Sequence, residues 1–166
     1  MTTHQFNLLL RPITAADDAA IAAIIRDNLR AVHLDIPGTA YFDPELDHLS
    51  AFYGAAPEKR AYYIVTDASG NIVGGVGFAE FPGVADCAEL QKLYLADAVK
   101  GHGYSHLLIE SVEDGARKAG YKKLYLETHT CLEVACALYE KHGYQRIEQP
   151  VPTVHTTMNR FYIKAL

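Results

Sequence analysis

The chain has 166 residues, of which 49% are hydrophobic and 21% charged, a composition typical of one soluble globular domain spanning residues 1–166. Its formal net charge is −5 and it has no cluster of Lys and Arg, so nucleic-acid binding, which normally needs a basic stripe, is not expected. Neither a membrane-spanning run nor the pattern of a signal peptide is found, so no membrane association is expected. Three cysteines without a C-x-x-C pair are typical of a reduced, cytoplasmic protein.

Hydrophobic periodicity and turn residues predict strands and helices that alternate along most of the chain. In chain order they are a strand at Phe6–Pro12, helices from about Ala15 to Val32 and from about Asp43, strands at Ala61–Thr66, Ile72–Phe81 and Glu89–Leu95, a helix ending near Ala119, a strand at Lys123–Thr128, a helix at Leu132–Lys141, and strands at Tyr144–Glu148 and Thr156–Ile163. Strands that first pair as hairpins and then alternate with helices predict an α/β fold, a mixed sheet with helices on both faces.

The segment Glu89–Leu108 is the most informative part of the sequence, because a strand, a turn with two glycines and a helix follow one another there. Gly101 and Gly103 stand where the chain must turn from strand into helix, and their missing side chains leave backbone N–H groups open. The first amides of a helix lack internal partners and lie at the positive end of its dipole, so the turn is a candidate diphosphate site. Taken alone, the two glycines favour the simpler interpretation of a tight turn.

Several other motifs are absent. The dinucleotide pattern G-x-G-x-x-G fails because its third glycine position would be His106. There is no G-x-x-x-x-G-K-[ST] phosphate loop and no G-x-S-x-G nucleophile elbow. His102 and His106 are four residues apart, but we interpret them as an exposed pair rather than as ligands, so no metal is expected.

Two motifs together resemble those of the GCN5-related N-acetyltransferase (GNAT) superfamily. The first is Glu89–Leu95 followed by Lys100-Gly-His-Gly-Tyr-Ser105, similar to the consensus [QR]-x-x-G-x-[GA], with Lys and Ser at its outer positions. The second is Ala135-Cys-Ala-Leu-Tyr-Glu-Lys-His-Gly-Tyr144, which matches A-x-x-L-Y-x-x-x-G-[FY]. The order of elements agrees along nearly the whole chain, and the resemblance implies a mixed, mostly antiparallel sheet of six to seven strands.

The resemblance also implies a co-substrate, acetyl-CoA, and an activity, N-acetyl transfer to an amine by direct attack in a ternary complex. It implies that the fourth strand separates from the fifth, and that the pantetheine arm lies in the gap against the backbone of Leu93, Tyr94 and Leu95. The amide of Leu93 is the candidate donor to the thioester oxygen. The pyrophosphate is expected to be held by the glycine turn, that is by Lys100, Gly101, His102, Gly103, Tyr104 and Ser105. Leu132 replaces an asparagine that often contacts the pantetheine arm.

Three residues are candidates for proton transfer. By resemblance, Tyr139 is the candidate general acid for the leaving thiolate, although it is also an aromatic residue that could simply pack on the sheet. Glu89 begins the strand that carries the pantetheine contacts, where the family often uses an acidic base through a water molecule. Glu127 ends the following strand, on the side of a sheet where ligands collect. Glu89 is ranked slightly ahead of Glu127 as the candidate base. Either glutamate could instead be a solvated charge at a strand end.

The acceptor is expected to be a primary amine of a small molecule, amino acid or peptide. By resemblance, it enters between the segments Leu34–Phe42 and Val151–Thr157. Asp35, Tyr41 and His155 are the polar candidates there. Two alternatives are a coenzyme A-binding sensor without transfer activity and a protein-lysine or N-terminal acetyltransferase. The apolar last strand, interpreted as a sheet edge, predicts a homodimer.

Overall fold

The computed structural model describes residues 7–166, which form seven β-strands and four α-helices. In chain order these are β1 (Leu9–Pro12), α1 (Asp18–Ala31), α2 (Leu49–Gly54), β2 (Ala61–Thr66), β3 (Ile72–Glu80), β4 (Cys87–Leu95), α3 (Tyr104–Lys118), β5 (Lys123–Thr128), α4 (Glu133–Lys141), β6 (Gln145–Ile147) and β7 (Arg160–Ala165). Each predicted element has a counterpart, and β5 has the predicted bounds. Phe6, the predicted start of the first strand, lies outside the described residues.

The strands form one sheet in the order β1-β2-β3-β4-β5-β7-β6. Among the described strands, β4 and β5 are the one parallel pair, and all other neighbours run antiparallel. A parallel pair needs a long crossover, and α3 supplies it. The predicted mixed, mostly antiparallel sheet is therefore confirmed.

Two apolar cores lie on opposite faces of this sheet. One face is covered by α1 and α2, whose buried Ile21, Ile25 and Leu49 pack with Ile64 of β2. On the other face α3 and α4 cover a core that contains Leu108, Ile109, Val112 and Leu124. Helices on both faces were expected from the alternation of strands and helices. None of the helices in residues 7–166 is both long and apolar enough to cross a membrane.

The second predicted helix begins later than the sequence indicated. Asp43 and Pro44 lie in a turn, a short 3₁₀ segment follows at Leu46–His48, and α2 starts only at Leu49. The side chain of Asp43 is buried and pairs with Lys92 and His155, so it makes long-range contacts rather than starting a helix. These contacts place Asp43 in the candidate site described below.

The prediction that the last strand forms an edge of the sheet is wrong. β7 lies between β5 and β6 and pairs with both, and Tyr162 at its centre is 1% exposed. The three-residue strand β6 occupies the edge instead, because the chain returns from α4 to pair along β7. The homodimer prediction rested on β7 being an edge and loses that support.

Candidate active site

A cleft opens in the middle of the sheet where β4 and β5 separate. The two strands pair only from Cys87↔Lys123 to Glu89↔Tyr125, and beyond that point their remaining residues diverge. We call the resulting groove the strand cleft, with a volume of about 110 Å³. Its walls include both strands and α4, through Leu93, Tyr94, Leu126, Leu132, Ala135 and Tyr139. The predicted separation of the fourth and fifth strands is thus present.

A β-bulge shapes the β4 side of the strand cleft. Gly75 pairs with Tyr94 and Gly77 with Gln91, so Lys92 and Leu93 have no partner on β3, and β5 has already diverged. Lys92 adopts a left-handed φ of 51°, and its carbonyl accepts a hydrogen bond from the Tyr62 hydroxyl at 2.9 Å. Bulges bend a strand and re-aim its side chains. This bulge leaves Leu93, which lines the strand cleft, without a paired residue on either neighbouring strand.

The glycine turn lies at the start of α3. Gly101 and Gly103 both have a φ of +79°, and nothing lies within 4 Å of the position where either would carry a β-carbon. Gly103 is the N-cap of α3. Within residues 7–166, the amides of Gly101, Gly103 and Ser105 have no backbone acceptor. The turn therefore has the open amides and the helix terminus that anion binding requires.

Tyr139 projects from α4 into the strand cleft. Its side chain is buried, with 8% exposure, and its ring packs at 5.9 Å from that of Tyr144 and 6.2 Å from that of Tyr162. Its hydroxyl makes no side-chain hydrogen bond to any other described residue. Burial raises the pKa of Tyr139 well above its usual value, so the phenol stays protonated at neutral pH. Tyr139 thus packs in the core and also borders the strand cleft.

Beside the strand cleft lies a second cavity of about 330 Å³, which we call the acidic pocket. Glu89 and Glu127 line both cavities and thus stand where the two meet. Burial raises the pKa of Glu89, while a hydrogen bond from Gln91 Nε2 at 2.9 Å opposes the shift. Burial also raises the pKa of Glu127 to about 7, against a 2.8 Å hydrogen bond from Thr153 Oγ1. Two neighbouring carboxyls of raised pKa can hold a proton between them near neutral pH.

The His155 side chain lies close to both of these carboxyls. A ring nitrogen of His155 and one oxygen each of Glu89 and Glu127 all lie within 4.8 Å of one another. His155 Nε2 lies 2.7 Å from Asp43 Oδ1, and Lys92 Nζ lies 2.6 Å from Asp43 Oδ2. Burial alone would lower the pKa of His155, but the hydrogen bond and charge of Asp43 outweigh it and raise the pKa. Three titratable side chains, Glu89, Glu127 and His155, thus lie close together, and the Asp43–Lys92 ion pair holds His155 in place.

The ion pair between Asp43 and Lys92 is buried. The side chains of Lys92 and Asp43 are 4% and 7% exposed. Burial by itself raises the pKa of Asp43, but the hydrogen bond from His155 and the charge of Lys92 outweigh it and leave the pKa below its usual value. A buried charge without a partner is costly, so each member of this group depends on the others. Glu45, 3.4 Å from Lys92 Nζ, completes the group.

Two loops form the roof of the acidic pocket. One contributes Gly38 to Glu45 and the other Thr153 to His155. The loops are joined by the Asp43–His155 contact and by Thr157, whose amide donates to Gly38 O at 3.1 Å and whose hydroxyl donates to Pro37 O at 2.7 Å. These contacts join the two loops over the pocket, which remains partly open to solvent at Phe42 and Val154.

Several predicted residues lie away from the two cavities. Leu95 is buried in the core, and its carbonyl accepts from Asn28 Nδ2 at 3.0 Å. The Lys100 side chain pairs with Asp97 at 2.7 Å on the surface. Asp35 is exposed, and the Tyr41 hydroxyl accepts hydrogen bonds from Arg30, so of the three polar loop candidates His155 alone lines the acidic pocket.

Other site residues were not singled out by the sequence analysis. Asp43, Gln91, Lys92 and Thr153 line the acidic pocket and hold its titratable groups. A lysine three residues before a predicted strand end and an aspartate before a proline carry no local signal of such a role. Of the titratable side chains in this pocket, the sequence analysis had named Glu89, Glu127 and His155.

A family model described as "Acetyltransferase (GNAT) family" matches residues 20–144. The chain belongs to the GNAT acetyltransferase family. It is 37% identical over 142 residues to an uncharacterized N-acetyltransferase, YjgM, of Escherichia coli strain K12, a match that covers 84% of this chain and 83% of that protein.

Solved structures of acetyltransferases share the fold of this GNAT chain. An acetyltransferase of the GNAT family from Staphylococcus aureus Mu50 superposes with a TM-score of 0.83 at 16% identity, covering 95% of this chain and 98% of that one. The PaiA N-acetyltransferase of Thermoplasma acidophilum, solved in complex with coenzyme A, gives a TM-score of 0.71 at 15% identity over 96% of this chain and 99% of that one. At these identities the likeness establishes the shared fold.

Proposed function

We propose that this GNAT protein transfers an acetyl group from acetyl-CoA to a primary amine of a small molecule, by direct attack within a ternary complex. One observation carries the proposal: the strand cleft runs into the acidic pocket, and Glu89, Glu127 and His155 line both. A thioester donor in the cleft and an amine in the pocket would then meet beside groups able to take a proton. Bringing two reactants together in this way lowers the barrier substantially.

The residues that would hold the coenzyme fit its chemistry. The open amides at Gly101, Gly103 and Ser105 suit a pyrophosphate at the start of α3. The apolar walls of the strand cleft at Leu93, Leu132 and Ala135 suit the pantetheine arm. When bound, the coenzyme supplies an activated acetyl group as a thioester. The amide of Leu93, at the bulge, is the donor proposed for its carbonyl oxygen.

Glu89 and Glu127 are proposed to act together as the base. An amine of ordinary pKa arrives protonated at neutral pH and must lose its proton before it can attack. A carboxyl whose pKa lies at about 7, as that of Glu127 does, is ionised often enough to accept the proton and basic enough to take it. His155, held by Asp43, is the neighbour to which that proton can pass.

Tyr139 is proposed to return a proton to the departing thiolate. It lines the strand cleft on the α4 side, and its raised pKa keeps the hydroxyl protonated. Because a phenol of raised pKa is a weaker acid than the thiol, the proton would pass as the C–S bond breaks. The nitrogen loses its second proton after the attack, and this proton would restore the Tyr139 hydroxyl.

The proposal is tested by measuring free thiol release from acetyl-CoA in the presence of a panel of amines, with mass analysis of the amine product. Amine-dependent thiol release and an N-acetylated product are expected. A protein that binds acetyl-CoA tightly but releases no thiol with any amine would be a sensor. Release only with lysine-containing or N-terminal peptides would favour the protein acetyltransferase alternative, which the joined roof loops disfavour.

Replacing both Glu89 and Glu127 with Gln is expected to lower kcat/KM about 10²–10⁴-fold, the usual contribution of a positioned base. In the wild type, kcat/KM should rise with pH through about 7, as Glu127 loses its proton, and then level off. The level region is expected because the pair takes the proton of the bound ammonium. Initial rates measured from pH 5.5 to 9.5, in steps of about 0.5, give the pH at which the profile levels off as this carboxyl pair ionises.

In the double variant the rate should instead keep rising toward the amine's own pKa near about 10, because only the free amine could react. Glu148→Gln, a change at an exposed glutamate outside both cavities, is the matched control and should keep the wild-type profile. A wild-type rate that climbs steadily to pH 9.5 without a break would remove the carboxyl pair from the mechanism.

A further inference from the structure

The acidic pocket has more carboxylates than bases. Among the described residues that line it, four are acidic and two are basic. The acidic ones are Asp43, Glu45, Glu89 and Glu127, and the basic ones are Lys92 and His155. Even when one proton is shared by Glu89 and Glu127, three carboxylate charges face at most two basic ones. Low-dielectric walls strengthen the resulting field, so the pocket favours a cation and opposes an anion.

Both bases are already committed within the protein. Lys92 Nζ contacts Asp43 at 2.6 Å and Glu45 at 3.4 Å, and His155 Nε2 contacts Asp43 at 2.7 Å. Redirecting either base to a ligand would take away one of the two partners of the buried Asp43 carboxylate, which is unfavourable. Neither base is therefore placed to receive the carboxylate of an amino-acid substrate.

The neutral hydrogen-bond donors that line the pocket are also bonded to acceptors within the protein. Gln91 Nε2 donates to Glu89 at 2.9 Å, and Thr153 Oγ1 donates to Glu127 at 2.8 Å. The Thr39 hydroxyl lies 2.8 Å from the carbonyl oxygens of Leu34 and Ile36. A carboxylate recognised in a protein normally accepts hydrogen bonds from Arg, Lys or backbone amides. These side-chain donors are instead directed at acceptors of the protein itself.

The outer part of the pocket is apolar. Phe42 and Val154, one from each roof loop, line the pocket and remain 58% and 81% exposed. Large apolar side chains left exposed at the mouth of a cavity often mark the place where a ligand packs. An amine whose nitrogen reaches Glu89 and Glu127 would lay its remaining atoms between these two residues.

We propose that the acceptor is a cationic amine with an apolar body and no carboxylate beside its nitrogen, such as an arylalkylamine or alkylamine. This inference rests on the proposed acetyltransferase function. The nitrogen binds as an ammonium ion at Glu89 and Glu127, and the apolar body packs against Phe42 and Val154. Amino acids are disfavoured because their carboxylate would enter a field of like charge in which the side-chain donors of the pocket are already bonded within the protein.

The test compares amines that differ in one group. 2-Phenylethylamine and L-phenylalanine differ only by a carboxylate, and L-phenylalaninamide keeps the added bulk without the charge. We expect kcat/KM for 2-phenylethylamine to exceed that for L-phenylalanine at least about 100-fold, since burying a like charge costs several kcal/mol. The amide should recover to within about 10-fold of the amine, because it adds size but no charge.

Phe42→Ala tests the apolar contact. It should lower kcat/KM for 2-phenylethylamine about 10-fold and leave that for ethylamine unchanged, because ethylamine is too short to reach the mouth. Leu9→Ala removes an exposed apolar side chain of similar exposure, 60%, from the distant edge strand β1 and should change neither value.

The outcomes separate this inference from the proposed function. Equal or better turnover of L-phenylalanine would overturn the inference while the acetyltransferase function stands. Preference for a diamine such as putrescine over 2-phenylethylamine, or an unchanged Phe42→Ala variant, would overturn the apolar assignment. Absence of thiol release with every amine would overturn the function and the inference together.

Discussion

Gly103→Asp is expected to weaken acetyl-CoA binding at least about 100-fold, because it puts a carboxylate where the pyrophosphate is proposed to lie. Gly103 is the N-cap of α3, and the space around its missing β-carbon is empty to 4 Å. The new side chain would therefore enter the proposed anion site without disturbing a packed neighbour. Isothermal titration calorimetry with acetyl-CoA measures the effect.

The backbone at Gly103 complicates the comparison, because its φ of +79° is strained for any residue with a β-carbon. Gly70→Asp is the matched control: Gly70 has a φ of +85°, equally empty surroundings, and lies in the turn between β2 and β3. Both variants should lose a similar amount of stability, about 1–2 kcal/mol, in thermal unfolding. Only Gly103→Asp should lose affinity, and calorimetry that gives both variants the wild-type affinity would refute the phosphate site.

Tyr139→Phe should lower kcat about 10²–10⁴-fold while acetyl-CoA affinity and thermal stability hold, because only a hydroxyl is removed. The ring, which packs on Tyr144 and Tyr162, is retained. A thiolate leaves more easily without help as the pH approaches the thiol pKa of about 8.5, so the deficit should shrink as pH rises. Steady-state rates between about pH 6.5 and pH 9, a range that spans this thiol pKa, measure both effects.

Tyr144→Phe provides the control for Tyr139→Phe. The Tyr144 hydroxyl is buried in the same aromatic cluster and does not line the strand cleft. Its removal should leave kcat close to wild type at every pH. Equal rates in the Tyr139→Phe variant and the wild type would mean that Tyr139 only packs, and that solvent or the carboxyl pair protonates the thiolate.

Much of the fold follows from local pattern in the sequence. β5 was predictable to the residue because Lys123–Thr128 lies between a glycine that ends α3 and a loop that precedes α4. α3 was predictable because an amphipathic pattern follows Gly103 directly. The position of β7 inside the sheet was not predictable from local pattern. It depends on whether the short strand β6 pairs beside it, and strand order is decided by contacts between residues distant in sequence.

The site divides in the same way. Tyr139 and the glycine turn belong to contiguous motifs, so the residues next to them in sequence are enough to predict them. The pairing of Asp43 with Lys92 and His155 joins three segments that are far apart in the chain. Lys92 also turns inward only because of the bulge in β4, and a bulge has no marker in a strand pattern. Local propensity therefore indicated a helix start at Asp43, where tertiary contacts decided otherwise.

The most direct test of the central claim follows the acetyl group itself. Acetyl-CoA labelled in its acetyl group is mixed with the protein, with and without 2-phenylethylamine, and protein and amine are analysed by mass spectrometry. Direct transfer predicts label in the amine in equal amount to the free thiol released, and no labelled protein in either mixture. Label that stays on acetyl-CoA when every amine of the panel is present would contradict the account.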